Sequence, residues 1–420
     1  MNVWHYIVNI FSNVRADFVE WLQGLNVPGS VIILLESIIG ITLILAIVFP
    51  VVIIFIWMER RFIARFQLRP GPNRCGPLGL LQPVADAIKV LVKELIVPAR
   101  GDSKLHFIAP VLVVLSALMA FAVIPIDSGS FGAFADLNIG ILFIIAVGSL
   151  GTIGIFVGGW GSNNKYSLLG AMRGVAQLIS YEVPMVLAIA GVVVIAGSLQ
   201  MSQIVQQQTV PFILLQPLGF LIFFAGALTE LNRSPMDQVE AESELTTGYF
   251  TEYSGMKFAL FFLGEYISTL AVAAIATTLF LSGWKGPLLP AAAWFLIKVF
   301  AVFMVILWLR ATFVRLRIDQ IMAFSWKFLL PAGIVNLFLT AGEVLIWDTW
   351  MSGWQSFPWP FIFVNFAVAA AFIILWSKLF FNLGGGRVEV GEAAVEGLEG
   401  VRLEVGEVRA RIGQRVGADI

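Results

Sequence analysis

The sequence has very few of the side chains that hold metals and redox groups. Its 420 residues include one cysteine, Cys75, and two histidines, His5 and His106, which lie far apart in the chain. One cysteine cannot form an internal disulfide, ligate an iron–sulfur cluster or build a cysteine-based zinc site. Neither histidine has a second ligand at helical spacing, which disfavours a haem. We therefore expect no redox centre and no metal site within this chain, and we assign no catalytic residue to it.

Charge is also scarce. Charged residues make up 13% of the chain and the formal net charge is −1, whereas soluble globular proteins carry roughly 25% charged residues. Hydrophobic residues reach 59%, and the mean hydropathy is +0.90. This composition excludes an ordinary soluble protein and predicts an all-α, polytopic helical bundle in the lipid bilayer. The near-neutral charge also disfavours nucleic acid as a partner.

Hydropathy predicts about nine transmembrane helices, because a span needs about 20 mostly apolar residues. The predicted spans are Val31–Met58, Phe107–Ile126, Ile139–Trp160, Pro184–Leu199, Pro211–Leu231, Phe258–Leu281, Leu288–Leu309, Phe328–Trp347 and Phe357–Phe381. Within the third span, Gly154 and Gly158 are four residues apart, a spacing that favours close helix packing.

The long loop after the first span contains a further helical pattern. Between residues 78 and 97, apolar residues recur at helical spacing with Asp86, Lys89, Lys93 and Glu94 between them. This predicts an amphipathic helix in the cytoplasmic interface. On sequence alone a lipid-surface anchor is favoured, and the wall of a site that opens into the membrane is the alternative.

Basic residues predict the orientation. They concentrate in alternate loops, and the opposite side carries only Arg15 and Lys285. Since cytoplasmic loops hold the excess of lysine and arginine, we expect the N-terminus outside and the C-terminus in the cytoplasm. Residues 1–30 are interpreted as an interfacial segment, 31–383 as the transmembrane domain, and 384–420 as a soluble tail rich in glycine, glutamate and arginine.

Acidic residues occur where cations are expected. The stretch 230–252 contains a single arginine, Arg233, against six carboxylates: Glu230, Asp237, Glu240, Glu242, Glu244 and Glu252. Crowded carboxylates share protons, because each ionised group raises the proton affinity of its neighbours. A solvated acidic loop is the simpler interpretation. Because the stretch abuts two spans, we favour a proton-handling cluster.

Ionisable residues also occur within the spans, where each costs about 2.5–3.5 kcal/mol at the bilayer centre and so indicates a functional pathway. Glu182 and Glu265 are the candidates for such a pathway. Lys298 and Glu343 are expected to form a buried structural ion pair.

A basic mouth follows the seventh predicted span. Arg310, Arg315 and Arg317 lie among aromatic residues. Positive-inside topology explains such arginines, but a basic, aromatic mouth is also able to orient a polar headgroup whose tail stays in lipid.

Four runs of residues resemble the H subunit of bacterial NADH–quinone oxidoreductase, the respiratory complex I. The resemblance covers residues from about 31 to 383. Its four runs are Glu59–Arg61 with Arg69–Asn73 and Leu81–Ala87; Gly159–Tyr166 with Ala176–Gln177 and Ser180–Glu182; Asn232–Asp237 with Glu240–Leu245 and Glu252–Gly255; and Arg310–Thr312 with Arg315, Asp319–Gln320 and Trp326–Lys327.

The resemblance implies a membrane subunit of a proton-pumping enzyme. Such a subunit forms the membrane side of the quinone chamber and the start of a carboxylate proton path. By position, the implied chamber residues are Arg60, Asp86, Arg310 and Arg315. The implied proton-path residues are Glu182, Glu240, Glu242, Glu244, Glu252 and Glu265.

The resemblance further implies quinone, either ubiquinone or menaquinone, as the substrate. FMN and iron–sulfur clusters would be held by partner subunits, and the location would be the bacterial inner membrane. The implied partners are the peripheral-arm subunits of the quinone site and the antiporter-like membrane subunits. Two alternatives stay open: the equivalent subunit of a membrane-bound hydrogenase or formate hydrogenlyase, and a free-standing proton or cation transporter.

Overall fold

The computed structural model describes residues 28–127, 135–239, 244, 246–350 and 359–384. The predicted N-terminal segment 1–30 and the predicted tail 384–420 therefore lie almost wholly outside the described residues. The chain divides into two compact units, Met1–Phe366 and Ala367–Ile420. In the second unit, the described part is the helical stretch 367–384.

The described residues form helices and contain no strand, which confirms the all-α fold. The helices are α1 (Gly29–Phe66), α2 (Gln82–Val92), α3 (Ser103–Ala120), α4 (Gly140–Gly161), α5 (Lys165–Ala196), α6 (Met201–Gln207), α7 (Phe212–Leu215), α8 (Pro217–Glu230), α9 (Gly255–Phe280), α10 (Ala291–Thr312), α11 (Ile318–Phe324), α12 (Leu330–Trp350) and α13 (Trp359–Gly384). Two 3₁₀ turns, Pro77–Gly79 and Gly248–Phe250, and a π-helical turn, Ser325–Leu329, complete the described elements.

Seven helices among the described residues are long and apolar enough to cross a membrane. They are α1, α3, α4, α5, α9, α10 and the continuous stretch Ile318–Ile346, which spans α11, the π turn and most of α12. Two other predicted spans correspond to shorter apolar helices, Pro217–Glu230 and Trp359–Leu375. The membrane-protein fold is thus confirmed, whereas the count of about nine spans is not.

Helix ends differ most from the hydropathy prediction where polar residues occur. Helix α5 begins at Lys165, well before the predicted start at Pro184, because a polar helical segment precedes the apolar one. Its first turn is capped by Asn164, whose side chain accepts a hydrogen bond of 3.0 Å from the backbone N–H of Tyr166. Such caps satisfy the donors that a helix start leaves unpaired.

Helices α3, α4, α5, α8 and α9 pack together and surround the candidate site. At Gly154 of α4, an added Cβ would lie 2.7 Å from Cγ2 of Val113 on α3, so only glycine allows this approach. The predicted close packing at Gly154 and Gly158 is therefore confirmed. An aromatic cluster fills one end of this region, with the ring of Phe261 edge-on to those of Tyr249 and Tyr253.

The predicted amphipathic helix forms over Gln82–Val92, shorter than the patterned stretch 78–97. It packs against α1 and α9. Ile88, Leu91 and Val92 leave apolar side chains exposed. Such a helix presents an apolar face that lipid is able to cover.

The π-helical turn joins α11 to α12 and is fastened to α5. The Ser325 hydroxyl donates to the carbonyl oxygen of Ser180 over 2.5 Å, and the Trp326 indole N–H donates to the Ser180 hydroxyl over 3.2 Å. The Tyr181 hydroxyl also donates to the carbonyl oxygen of Ile321 over 2.8 Å. The two residues of α5 that make these bonds, Ser180 and Tyr181, directly precede Glu182.

The predicted ion pair between Lys298 and Glu343 is wrong. Lys298 Nζ instead donates to the carbonyl oxygens of Leu281, Gly283 and Lys285, at 2.7, 2.9 and 2.6 Å. Glu343 Oε2 accepts a 2.8 Å hydrogen bond from Asn365 Nδ2. Leu281 is the C-cap of α9, where a helix end leaves carbonyl oxygens without intrahelical donors, and Lys298 of α10 donates to it and to two carbonyls of the loop that follows.

A double-mutant cycle distinguishes these two arrangements. We expect Lys298→Met to cost about 2–4 kcal/mol, because it removes a charged donor from three carbonyl groups. Since Lys298 and Glu343 have different partners, the losses from Lys298→Met and Glu343→Gln should add within about 0.5 kcal/mol. Thermal unfolding of the purified protein measures this. A double variant much more stable than the sum predicts would restore the ion pair.

Candidate functional site

A buried network of charges joins three segments that are distant in sequence. Arg233, in the loop after α8, lies between Glu59 of α1 and Glu265 of α9. Arg233 Nη1 donates to Glu59 Oε1 over 2.8 Å, and its Nε is 2.7 Å from Glu265 Oε1. The side chains of Arg233 and Glu59 are only 3% and 4% exposed. The network therefore places paired charges inside the protein, at the end of α1.

The surroundings of Arg233 keep it charged. Burial would lower its pKa, but the carboxylates of Glu265 and Glu59 outweigh that effect and hold the pKa of Arg233 above the ordinary arginine value. The guanidinium also lies 4.5 Å from the centre of the Tyr266 ring, close enough for a cation–π contact. Arg233 is thus a fixed positive charge between two glutamates.

Arg310 extends the network towards the surface. It lies in the last turn of α10, and its Nη1 donates to the same Glu59 oxygen that Arg233 binds. Its side chain is 32% exposed. Glu59 therefore connects a partly exposed arginine with a fully buried one.

A second charged pair connects α1 with the amphipathic helix α2. Arg60 Nη1 donates to Asp86 Oδ2, and Gln82 Nε2 donates to Asp86 Oδ1 over 3.0 Å. Partial burial alone would raise the pKa of Asp86, but the hydrogen bonds from Arg60 and Gln82 outweigh it, so this pKa lies below its usual value. Both partners are more than a third exposed. Asp86 thus stays ionised where α2 packs against α1.

The other sequence-predicted residues have separate partners. Arg173 Nη2 lies 2.6 Å from Glu244 Oε2, and Asn164 Nδ2 donates to Glu252 Oε1 over 2.6 Å. Glu240 and Glu242 lie outside the described residues.

The loop that contains Asp237 is held against the segment before α11. Arg315 Nη2 lies 3.8 Å from Asp237 Oδ1, and the Leu316 N–H donates to the carbonyl oxygen of Pro235 over 3.1 Å. Gln238 Nε2 donates to the carbonyl oxygen of Leu316. The acidic and basic segments therefore meet directly.

A cavity of about 130 Å³ lies beside the buried network, between α3, α4, α5, α8 and α9. Three carboxylates line it, Glu182, Glu230 and Glu265, among mostly apolar side chains. No lysine or arginine is among its described lining residues. Its volume exceeds the roughly 30 Å³ share of one water molecule several times. Glu265 belongs both to this cavity and to the ion network.

The structure brings together some predicted site residues but not all. Glu182 and Glu265 share the cavity, and Arg310 joins the buried network. Glu59 and Arg233 were not predicted as site residues, although both belong to motifs that carry the resemblance. A lone carboxylate at the end of an apolar span, and the single arginine within an acidic stretch, are the signals that identify them.

Comparison with known proteins assigns the family. A family model described as NADH dehydrogenase matches residues 39–341. The NADH-quinone oxidoreductase H subunit of Dehalococcoides mccartyi is 56% identical over 339 residues, which cover 81% of this chain and 94% of that protein. The chain belongs to the family of NADH-quinone oxidoreductase H subunits.

Other H subunits match over a similar length. The relative from Carboxydothermus hydrogenoformans is 46% identical over 340 residues, covering 79% of this chain and 96% of that protein. An H subunit of Syntrophobacter fumaroxidans, the one numbered 2, is 47% identical over 319 residues, covering 74% and 95%. This chain is accordingly a membrane subunit of a multisubunit NADH-quinone oxidoreductase, and other subunits of that complex are its partners.

The family match contains every member of the network and the cavity carboxylates, since Glu59, Glu182, Arg233, Glu265 and Arg310 all fall within residues 39–341, as does Glu230. These residues thus lie in the part of the chain that the family shares. Among the described residues, no group of three or more histidine, cysteine, aspartate or glutamate side chains is arranged to hold a metal ion.

Removing the buried arginine, Arg233, should strongly reduce assembly of the complex. Arg233→Met would leave Glu59 and Glu265 facing each other in the interior, and breaking a buried ion pair typically costs about 3–5 kcal/mol. We expect a marked loss of assembled complex, measured by native gel electrophoresis of membrane extracts. The control is Arg74→Met, since Arg74 is exposed and such changes usually stay within about 0.5 kcal/mol. Normal assembly of Arg233→Met would contradict the described network.

The Arg60–Asp86 pair should hold α2 across the physiological pH range. Because the pKa of Asp86 is depressed in the folded protein, the stabilisation is present above the usual carboxyl pKa and is lost only as the pH falls through the lower folded value. Hydrogen exchange of the α2 amides, corrected for intrinsic rates, should therefore be constant between about pH 5 and 8. Asp86→Asn should raise that exchange throughout this range. Unchanged exchange in the variant would show that the pair does not hold α2.

Proposed function

We propose that this subunit forms the membrane side of the quinone chamber and the start of a carboxylate proton path, so that quinone reduction is coupled to proton translocation. One observation carries the proposal. Glu265 is shared between the charge network that reaches Arg310 and the cavity that contains Glu182 and Glu230. Groups at the partly exposed end are thereby linked electrostatically to carboxylates in the interior.

The chamber is assigned to the region near α1, α2 and α10, with Arg60, Asp86, Arg310 and Arg315 on its walls. Arg60 and Asp86 are both partly exposed between α1 and α2, and Arg310 is partly exposed above Glu59. The apolar side chains that α2 exposes offer a lipid-facing route for the tail of a quinone. Arginines suit the polar headgroup, because they donate hydrogen bonds to oxygen atoms.

The proton path is assigned to Glu182, Glu240, Glu242, Glu244, Glu252 and Glu265, to which the cavity adds Glu230. Reduction of a quinone to a quinol consumes two protons. Withdrawing protons and adding electrons at one end of the network changes the field at Glu265. Inside a protein this field is screened less than in water. The protonation of the cavity carboxylates then changes with this field, and the change biases proton movement along the path.

The wider assignments follow from the resemblance and the family. We place the peripheral-arm subunits over the Arg310–Arg315 end and the antiporter-like subunits beside the carboxylate cavity. FMN and the iron–sulfur clusters belong to partner subunits in this assignment, and the substrate is ubiquinone or menaquinone. The chain lies in a bacterial inner membrane with its N-terminus outside and its C-terminus in the cytoplasm.

The test separates quinone reduction from proton pumping in the whole complex. The purified complex is reconstituted in liposomes, and NADH oxidation is followed together with quenching of a pH-sensitive dye. We expect Glu182→Gln, and Glu240→Gln combined with Glu244→Gln, to abolish pumping, because an amide cannot exchange a proton. Quinone reduction should persist when a protonophore or artificial coupling removes the proton gradient that opposes turnover.

A matched control replaces an exposed carboxylate outside the cavity, Glu94→Gln, which should leave both rates near normal. Full pumping in the Glu182 and Glu240/Glu244 variants would overturn the proton path. Mass spectrometry of the same preparation identifies the partner subunits and the co-purified quinone. A hydrogenase partner in place of flavin and iron–sulfur subunits would overturn the assignment to a quinone-reducing complex.

A further inference from the structure

Helix α4 contacts two of the cavity carboxylates without contributing any charge of its own. No residue of Gly140–Gly161 is acidic, basic or histidine. Its one polar contact with the carboxylates is made by Ser149, whose hydroxyl oxygen lies 2.6 Å from Glu182 Oε1. The same hydroxyl oxygen lies 3.3 Å from the backbone carbonyl oxygen of Ile145, one turn earlier on α4. Ser149 therefore has two alternative acceptors within hydrogen-bond distance.

A hydroxyl group has one donor proton and two acceptor lone pairs, and it rotates freely between partners. When Glu182 is ionised, Ser149 donates to its carboxylate. When Glu182 is protonated, the carboxyl O–H donates to the Ser149 oxygen, and the serine proton turns to the carbonyl oxygen of Ile145. The Ser149–Glu182 hydrogen bond is then kept in both states of Glu182, whose side chain is half-buried.

We propose that Ser149 is a positioning residue for proton transfer, which supports the ionised and the protonated forms of Glu182 in turn by reversing the direction of one hydrogen bond. This inference rests on the proposed proton path through Glu182. It goes beyond that path, because it assigns a role to a residue that neither carries charge nor exchanges a proton with the medium.

The neighbouring residue gives Glu230 a different environment. Gly148 lies beside Glu230, and an added Cβ would be 2.9 Å from Glu230 Oε1. Helix α4 thus offers a hydroxyl donor to Glu182 but only a hydrogen atom to Glu230. A donor favours the ionised form of the carboxylate that accepts from it. On α4, only Glu182 therefore has a hydroxyl donor.

The groups around Glu182 define what else affects its protonation. The titratable groups that line the cavity with it are Glu230 from α8, Glu265 from α9 and Tyr249 from the 3₁₀ turn. The π turn, which contains Lys327, and α12, which contains Glu343, also pack against α5. Among the described residues, Ser149 makes the only side-chain hydrogen bond to the Glu182 carboxylate.

The test is the pH profile of proton pumping per NADH oxidised, measured on the reconstituted complex with Ser149→Ala. Removing the donor weakens the ionised form of Glu182 more than the protonated form, because a hydrogen bond to a charged group is roughly twice as strong. We expect the midpoint of the profile to move upwards by about one pH unit.

Ser116→Ala is the matched control. Ser116 lines the same cavity, but its hydroxyl donates to the carbonyl oxygen of Val113 on its own helix, over 2.9 Å. Its removal should leave the midpoint unchanged. Ser149→Thr, which keeps the hydroxyl, should restore the original midpoint. Ser149→Cys, with a weaker donor of similar size, should move the midpoint in the same direction by less, and it tests the proposal even where the alanine variant fails to assemble.

Two outcomes would overturn the role of Ser149. One is a lower rate at every pH with an unmoved midpoint in the alanine and cysteine variants, which is the behaviour of a purely structural residue. The other is an equal shift in Ser116→Ala. If either occurs while Glu182→Gln abolishes pumping, the proton path stands and only the serine role fails. Full pumping in Glu182→Gln would overturn both the proton path and the role of Ser149.

Discussion

The rest of the site depends on one buried cation, Arg233. Two carboxylates taken out of water repel each other and lose their hydration, and the guanidinium between them makes their burial tolerable. Through that contact, α1, α9 and the loop after α8 are held at one point. The cavity lies beside this meeting point, and Glu265 belongs to both. Packing of α3 against α4 then closes the far wall, at positions where only glycine allows the approach.

Some polar groups in the bundle have partners that hold helices together, whereas others line the cavity of the proposed proton path. Lys298 binds carbonyl oxygens at and after the end of α9, and Glu343 binds Asn365. Both side chains therefore hold helices together. The carboxylates around the cavity have few partners or share them. Glu182 has a single hydroxyl, and Glu265 shares its arginine with Glu59. These are the carboxylates on which the proposed proton path relies.

Hydropathy and residue spacing were sufficient to predict the fold class, seven spans and the amphipathic helix. They were insufficient where polarity varies along a helix: α5 begins far before its apolar part, and α8 is too short to meet the length of a span. In the site, Glu182 and Glu265 stood out because a charge within a span is costly. The pairing of Glu59 with Arg233 joins residues 174 positions apart, which only the tertiary contacts specify. The acceptors of Lys298 are backbone carbonyls, which residue types do not reveal.

The π-helical turn at Ser325–Leu329 has a consequence for how the chain tolerates changes in length. A π turn holds one residue more than the α-helical turn that would replace it, and each residue of an α-helix turns the next by about 100°. A one-residue deletion inside this turn is absorbed as ordinary α-helix, and the faces of α11 and α12 keep their directions. The same deletion a few residues later would rotate all that follows. Length variants of this helix that still assemble should therefore have their gap within residues 325–329.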